Sequence, residues 1–290
     1  LTINESNSDY SGFGVSCNGG TDGWIEIMPT NSQGNVSINW IPESSTGTIP
    51  QGQENSFYLS GLTAGDYYYE VSDDGDLCDT ELAVITLDEP EPMVIQDFEV
   101  SDYFGNFGVS CNSGTDGEIN VTVTGGTGVY TYDWTADNGF SSNEEDISDL
   151  SAGIYTLTVH DENYNPEENN TNCVATIEVE ITETEPMVIQ DFEFSDYFGF
   201  GVLCKDGNDG FINVTVTGGT GVYTYNWTAD NGFSSNEEDI SNLEAGIYNL
   251  TVLDENNCPI TLEVEITEPN PIEITEEHSD YNGYGVSCNG

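Results

Sequence analysis

The chain has 290 residues, 36% of them hydrophobic and 11% aromatic, enough for the cores of two or three ordinary domains and too much for a disordered acidic tail. Against 54 acidic residues stands one base, Lys205, for a formal net charge of -53, which excludes nucleic acid and anionic membrane surfaces as partners. No stretch approaches the ~20 apolar residues of a membrane helix and none reads as a signal peptide, so membrane insertion is not expected here, and targeting signals are expected outside this segment of a longer polypeptide.

From the N-terminus, Ser-Asp-Tyr at Ser8 leads through a glycine-rich run to Cys17, an Asp-Gly follows at Asp22, and Trp40 lies 23 residues after the cysteine. The same order returns with Cys111, Asp116 and Trp134, again with Cys204, Asp209 and Trp227, and reopens at Ser279 before Cys288. A Leu-x-Ala-Gly-x-Tyr block ends at Tyr67, Tyr155 and Tyr248, and a second cysteine follows each, at Cys78, Cys173 and Cys258. This period predicts repeats over 1–92, 93–186 and 187–271, with a fourth opening over 272–290. Pro90, Pro92, Pro186, Pro269 and Pro271 mark the seams. The first repeat is diverged, because Pro29 to Asn35 stands where the second carries Gly-Gly-Thr-Gly.

Inside a repeat the apolar period is two. Ile119, Val121 and Val123 alternate with polar residues; Tyr130, Tyr132 and Trp134 share one face; Tyr155, Leu157 and Val159 share another; Ile177, Val179 and Ile181 alternate with glutamates. These are half-buried antiparallel strands, and no helical periodicity competes. About seven short strands per repeat, a tryptophan on the third and a tyrosine corner at the sixth predict an all-β chain of tandem immunoglobulin-like β-sandwich repeats of about 85–94 residues, arranged as an extended rod. Trp40, Trp134 and Trp227 with Tyr67, Tyr155 and Tyr248 are the expected core signature.

Phe107-Gly-Val-Ser-Cys111-Asn-Ser-Gly-Thr-Asp-Gly117, then Val123-Thr-Gly-Gly-Thr-Gly-Val-Tyr-Thr-Tyr-Asp-Trp134, then Asp149-Leu-Ser-Ala-Gly-Ile-Tyr-Thr-Leu-Thr-Val159, resemble the SprB repeat of Bacteroidota cell-surface adhesins. The resemblance implies a giant adhesin, exported by the type IX route and held at the outer membrane elsewhere in the protein. In gliding bacteria it implies work with the motility machinery. External surfaces or glycans, and neighbouring repeats of the same chain, are then the expected partners.

One cysteine pair per repeat reads as disulfides formed in an oxidising compartment; zinc would want Cys-x-x-Cys spacing, which is absent. Pairing within repeats joins Cys17 with Cys78, Cys111 with Cys173 and Cys204 with Cys258, leaving Cys288. In an immunoglobulin-like topology, however, the first cysteine lies between strands A and B and the second follows strand F at the opposite pole, roughly 20 Å away at ~3.3 Å per residue. Bridged Cα atoms lie within ~7 Å. An inter-repeat scheme, Cys17 with Cys173 and Cys111 with Cys258, is therefore favoured while the other stays open.

Catalysis finds little to work with: His160 and His278 occupy unrelated repeat positions, and a pair of carboxylates means nothing among so many. No enzyme is expected. No cofactor is certain, calcium being the one candidate, with Asp73, Asp76, Asp161 and Asp254 after strand F and Asp102, Asp196 and Asp280 after the seams as candidate ligands; the same residues also favour turns. The functional expectation is an adhesive stalk, with carbohydrate-binding modules as the alternative. Phe140, Phe233 and Tyr164, which the strand pattern leaves unexplained, would then be stacking platforms.

Overall fold

A computed structural model describes residues 1–75, 82–167, 171–277 and 283. The first repeat contains β1 (Thr2–Asn7), β2 (Gly23–Thr30), β3 (Val36–Trp40), β4 (Tyr58–Leu62), β5 (Gly65–Asp73) and β6 (Ala83–Leu87). The second contains β7 (Glu91–Val100), β8 (Gly117–Gly126), β9 (Tyr130–Ala136), β10 (Ser141–Ser142), β11 (Ile147–Leu150), β12 (Gly153–Asp161) and β13 (Val174–Ile181). The third repeats this set as β14 (Val188–Phe194), β15 (Gly210–Thr217), β16 (Tyr223–Ala229), β17 (Ser234–Ser235), β18 (Ile240–Leu243), β19 (Gly246–Asp254) and β20 (Pro259–Ile266).

Each repeat folds into two antiparallel sheets. In the second, β11-β8-β7 faces β10-β9-β12-β13, and the third has the same order in β14-β15-β18 and β17-β16-β19-β20. The first pairs β1-β2-β4 with β3-β5-β6. The fold is an immunoglobulin-like sandwich, and the alternation of the sequence builds it: along β8, Ile119 and Val121 are buried while Glu118, Asn120 and Thr122 face water. Register brings Leu157 of β12 opposite Trp134 of β9 and Ile177 of β13.

Three separate hydrophobic cores result, one per repeat. Trp40, Trp134 and Trp227 and Tyr67, Tyr155 and Tyr248 are their largest fully buried side chains, each costing ~3–5 kcal/mol to truncate to alanine. Their polar atoms are satisfied. The indole N–H groups donate to the carbonyls of Ser56, Glu145 and Glu238. The tyrosine hydroxyls donate four residues back, to Thr63, Ser151 and Glu244 at 2.7, 2.8 and 2.9 Å, closing a tyrosine corner in every repeat.

One expectation shifts. Pro92 lies inside β7 rather than in a seam, because an edge strand has no partner waiting for the missing N–H. By contact the chain divides into two compact units. One comprises Leu1–Asp102, Phe107–Val109 and Ser113–Glu183 and holds the first two sandwiches; the other comprises Tyr103–Asn106, Ser110–Asn112 and Thr184–Gly290 and holds the third.

Candidate functional site

The cysteines organise the most elaborate local chemistry. In the first unit the β1–β2 loop is shaped by its own residues: Ser8 Oγ donates to the Gly14 carbonyl, Asp22 Oδ1 accepts from the Ser16 N–H, and Gly20 N–H donates to the Cys17 carbonyl. Glu89 closes it from the seam by accepting from the Gly19 N–H at 2.6 Å. Cys17 is thereby presented to Cys173, and the two form a disulfide with a Cα–Cα distance of 5.4 Å. Asparagines flank it: Asn163 Nδ2 donates to the Ser16 carbonyl and Asn172 Nδ2 to the Asn18 carbonyl.

The second unit holds the equivalent arrangement. Cys111 is bonded to Cys258 at a Cα–Cα distance of 5.6 Å. Asn256 makes a two-way clip, with Oδ1 accepting from the Phe104 N–H at 3.0 Å and Nδ2 donating to the Ser110 carbonyl at 3.0 Å. Among the described cysteines, Cys204 alone is a free thiol, and it is exposed. Cys78 and Cys288 lie outside the described residues.

Aspartates set the turns that carry these clips. Asp73, Asp161 and Asp254 end strand F in the three repeats and are buried, each 4% exposed. Asp254 Oδ1 accepts from the N–H groups of Asn256 and Cys258, and its Oδ2 from Thr220. Asp161 does the same with Asn163 and Thr127. Asp73 accepts from Gln33 and Gly75, so the diverged first repeat keeps the clamp with a different turn. These donors, Gln33 first, hold the Asp73 carboxyl below its ordinary pKa. The Gly-Gly of the second and third repeats follows from the same clamp: Gly126 has φ +57, and a Cβ there would lie 2.3 Å from Asp161 Oδ2.

Of the candidate calcium ligands, Asp73, Asp161 and Asp254 accept from backbone N–H groups. Asp196 accepts from Gly199, and Asp102 is exposed; Asp76 and Asp280 lie outside the described residues. Among the described residues no three His, Cys, Asp or Glu side chains gather as a metal site requires. The candidate glycan platforms are also packed: Phe140 lies edge-on to Tyr155 and Phe233 to Tyr248, both at 5.5 Å, and Tyr164 stacks on His160. Sequence reasoning missed the clip asparagines. Their signal was the shared Asp-Glu-Asn at 161–163 and 254–256, weighed there as calcium ligands against plain turns.

Residues 109–139 and 202–232 match the SprB repeat family. Two stretches of the chain thus match the SprB repeat. Each SprB match begins just before the first cysteine, at Cys111 and Cys204, and runs past the core tryptophan, at Trp134 and Trp227. No curated protein matches the chain. Among solved structures it is similar to immunoglobulin domains 1–5 of Sidekick-1, at 13% identity and a TM-score of 0.34, over 88% of this chain and 56% of that one. It is also similar to extracellular domains 3–5 of Drosophila OTK, at 12% identity and a TM-score of 0.29, over 92% of each chain. A third similarity is to the C-terminal 282-residue fragment of intimin, solved with the intimin-binding domain of its translocated receptor, at 12% identity and a TM-score of 0.33, over 66% of this chain and 67% of that one. The chain spans little more than half of the Sidekick-1 fragment. The SprB matches point to a surface-protein repeat region.

Proposed function

We propose that this SprB region is an extended extracellular stalk that transmits tension within a large secreted bacterial adhesin. The carrying observation is the disulfide pairing, Cys17 with Cys173 and Cys111 with Cys258, which joins residues belonging to successive repeats. Disulfides of this kind persist in oxidising, extracellular settings. A net charge of -53 keeps such a chain soluble and repels like-charged neighbours. Attachment to external surfaces, type IX export, gliding, and anchoring at the outer membrane follow from the SprB resemblance.

A stalk holds an adhesive element away from the cell and does not itself recognise the surface. On an array of bacterial and plant polysaccharides the oxidised chain is expected to give no saturable binding at micromolar concentration. Saturable binding abolished by replacing exposed aromatic residues such as Phe192 and Phe194 would overturn the stalk and make these repeats carbohydrate-binding modules.

A further inference from the structure

The loop Tyr197–Cys204 of the third sandwich has the conformation of the occupied loop in the first, yet among the described residues nothing covers it. Ser195 Oγ donates to the Gly201 carbonyl as Ser8 does to Gly14. Asp209 Oδ1 accepts from the Leu203 N–H as Asp22 does from Ser16, at 3.2 and 3.1 Å. The tyrosine hydroxyls donate to the same aspartates' carbonyls, Tyr197 to Asp209 and Tyr10 to Asp22. Gly207 N–H donates to the Cys204 carbonyl as Gly20 does to Cys17, and Glu268 accepts from Asp206 as Glu89 does from Gly19.

What differs is exposure. Cys17 is 3% exposed and bonded to Cys173, whereas Cys204 is exposed and free. Leu203, in the place of Ser16, is 57% exposed, and Phe198 is 100% exposed where Phe104, held by Asn256, is 50% exposed. A preformed loop bearing apolar side chains in water and a free thiol is half of a junction.

The chain itself indicates the missing half. Met93 and Ile95 pack against the second core, and Met187 and Ile189 against the third. Ile272 and Ile274 stand at the same step after Pro271 but are 94% and 84% exposed, as the first strand of a further sandwich would be without the rest of its repeat. We propose that the Tyr197–Cys204 loop is the receiving site for the strand-F turn of a further SprB repeat, whose asparagine clips the loop carbonyls and whose second cysteine bonds Cys204. Bond formation takes two protons and two electrons from the thiols and passes them to a disulfide oxidant such as oxidised glutathione, which leaves as two thiols.

The test inserts a second copy of residues 187–271, its equivalent of Cys204 changed to serine, between Pro271 and Ile272 of the full chain and refolds both chains in a glutathione buffer. In the unextended chain Cys204 is expected to react with an alkylating reagent. In the extended chain its labelling should fall at least tenfold, and peptide mapping should link it to the copy's equivalent of Cys258, with Cys17–Cys173 and Cys111–Cys258 retained. Cys204 still labelled beside a folded copy, or a Cys204–Cys204 dimer as the main product of the unextended chain, would overturn the proposal. An insert copied from residues 93–186, which brings Cys173, repeats the test with a different module. Hydrogen exchange supplies a readout independent of oxidation: with Cys204→Ser in both chains, the amides of 198–203 should exchange more slowly in the extended one, and unchanged exchange overturns the site. None of these outcomes depends on whether the repeats bind glycans.

Discussion

Replacing Cys111 with serine should lengthen the fully unfolded, oxidised chain by only about 80 Å, although it deletes a bridge across 147 positions; about 3.5 Å per extended residue sets the scale. The two covalent loops overlap between residues 111 and 173. The shortest covalent path from end to end runs to Cys17, crosses to Cys173, returns to Cys111, crosses to Cys258 and continues, about 110 residues or ~390 Å. Without Cys111 the path crosses once and continues from Cys173, about 134 residues or ~470 Å. Full reduction frees all 290 residues, ~1,000 Å. The assay is single-molecule stretching between tethers at the two ends, with and without reductant. The result that refutes the reasoning is a contour near 610 Å for Cys111→Ser, which is what Cys17–Cys78 and Cys204–Cys258 within repeats would leave, about 175 residues.

Asp254→Ala strips the acceptor from the N–H groups of Thr220, Asn256 and Cys258; a loss of ~2–4 kcal/mol should lower the melting of the third sandwich by about 10 °C or more in calorimetry. Tyr155→Phe keeps the ring in the core and loses the bond to Ser151, so a smaller loss of ~1–2 kcal/mol is expected in urea unfolding of the second sandwich. Tyr132 and Tyr225 are pushed up to about 12, chiefly by burial and then by hydrogen bonds to Glu145 and Glu238. The folded state thus favours the neutral phenol, and this contribution is complete below the ordinary tyrosine pKa near ~10 and lost as pH rises from there through the folded value. Tyrosinate absorbance should lose two of its late-ionising groups in the Tyr132→Phe, Tyr225→Phe double variant, which should also unfold less readily in alkali.

Elements specified by short-range pattern were legible in the sequence. Period-two alternation placed β8, β9, β12 and β13, and the fixed step from cysteine to tryptophan located the same core position three times. Hydrogen-bond roles were less legible, because an Asp-Glu-Asn turn looks alike whether its carboxylate faces a cation or three N–H groups; only the fold shows that Thr127 and Thr220 return to Asp161 and Asp254. Phe140 and Phe233 were opaque for a related reason. They lie in the turn after the third strand, outside any alternating run, and reach the core by packing edge-on against the corner tyrosines. Disulfide partners lay between these extremes, since pole geometry favoured the inter-repeat scheme while spacing alone left the other open.

Lys205 is the only lysine or arginine in the chain, so it offers trypsin-like proteases a single cleavage point. Its ammonium is bound by Glu268 and Asp206, which raise its pKa through those hydrogen bonds, Glu268 first. Position 205 also falls inside the loop closed by Cys111 and Cys258. A nick there leaves both fragments covalently attached, and the same holds for any single cut between residues 17 and 258, because every peptide bond in that span is enclosed by at least one bridge. In a medium shared with foreign hydrolases, the chain can be cleaved once across most of its length and still not be severed.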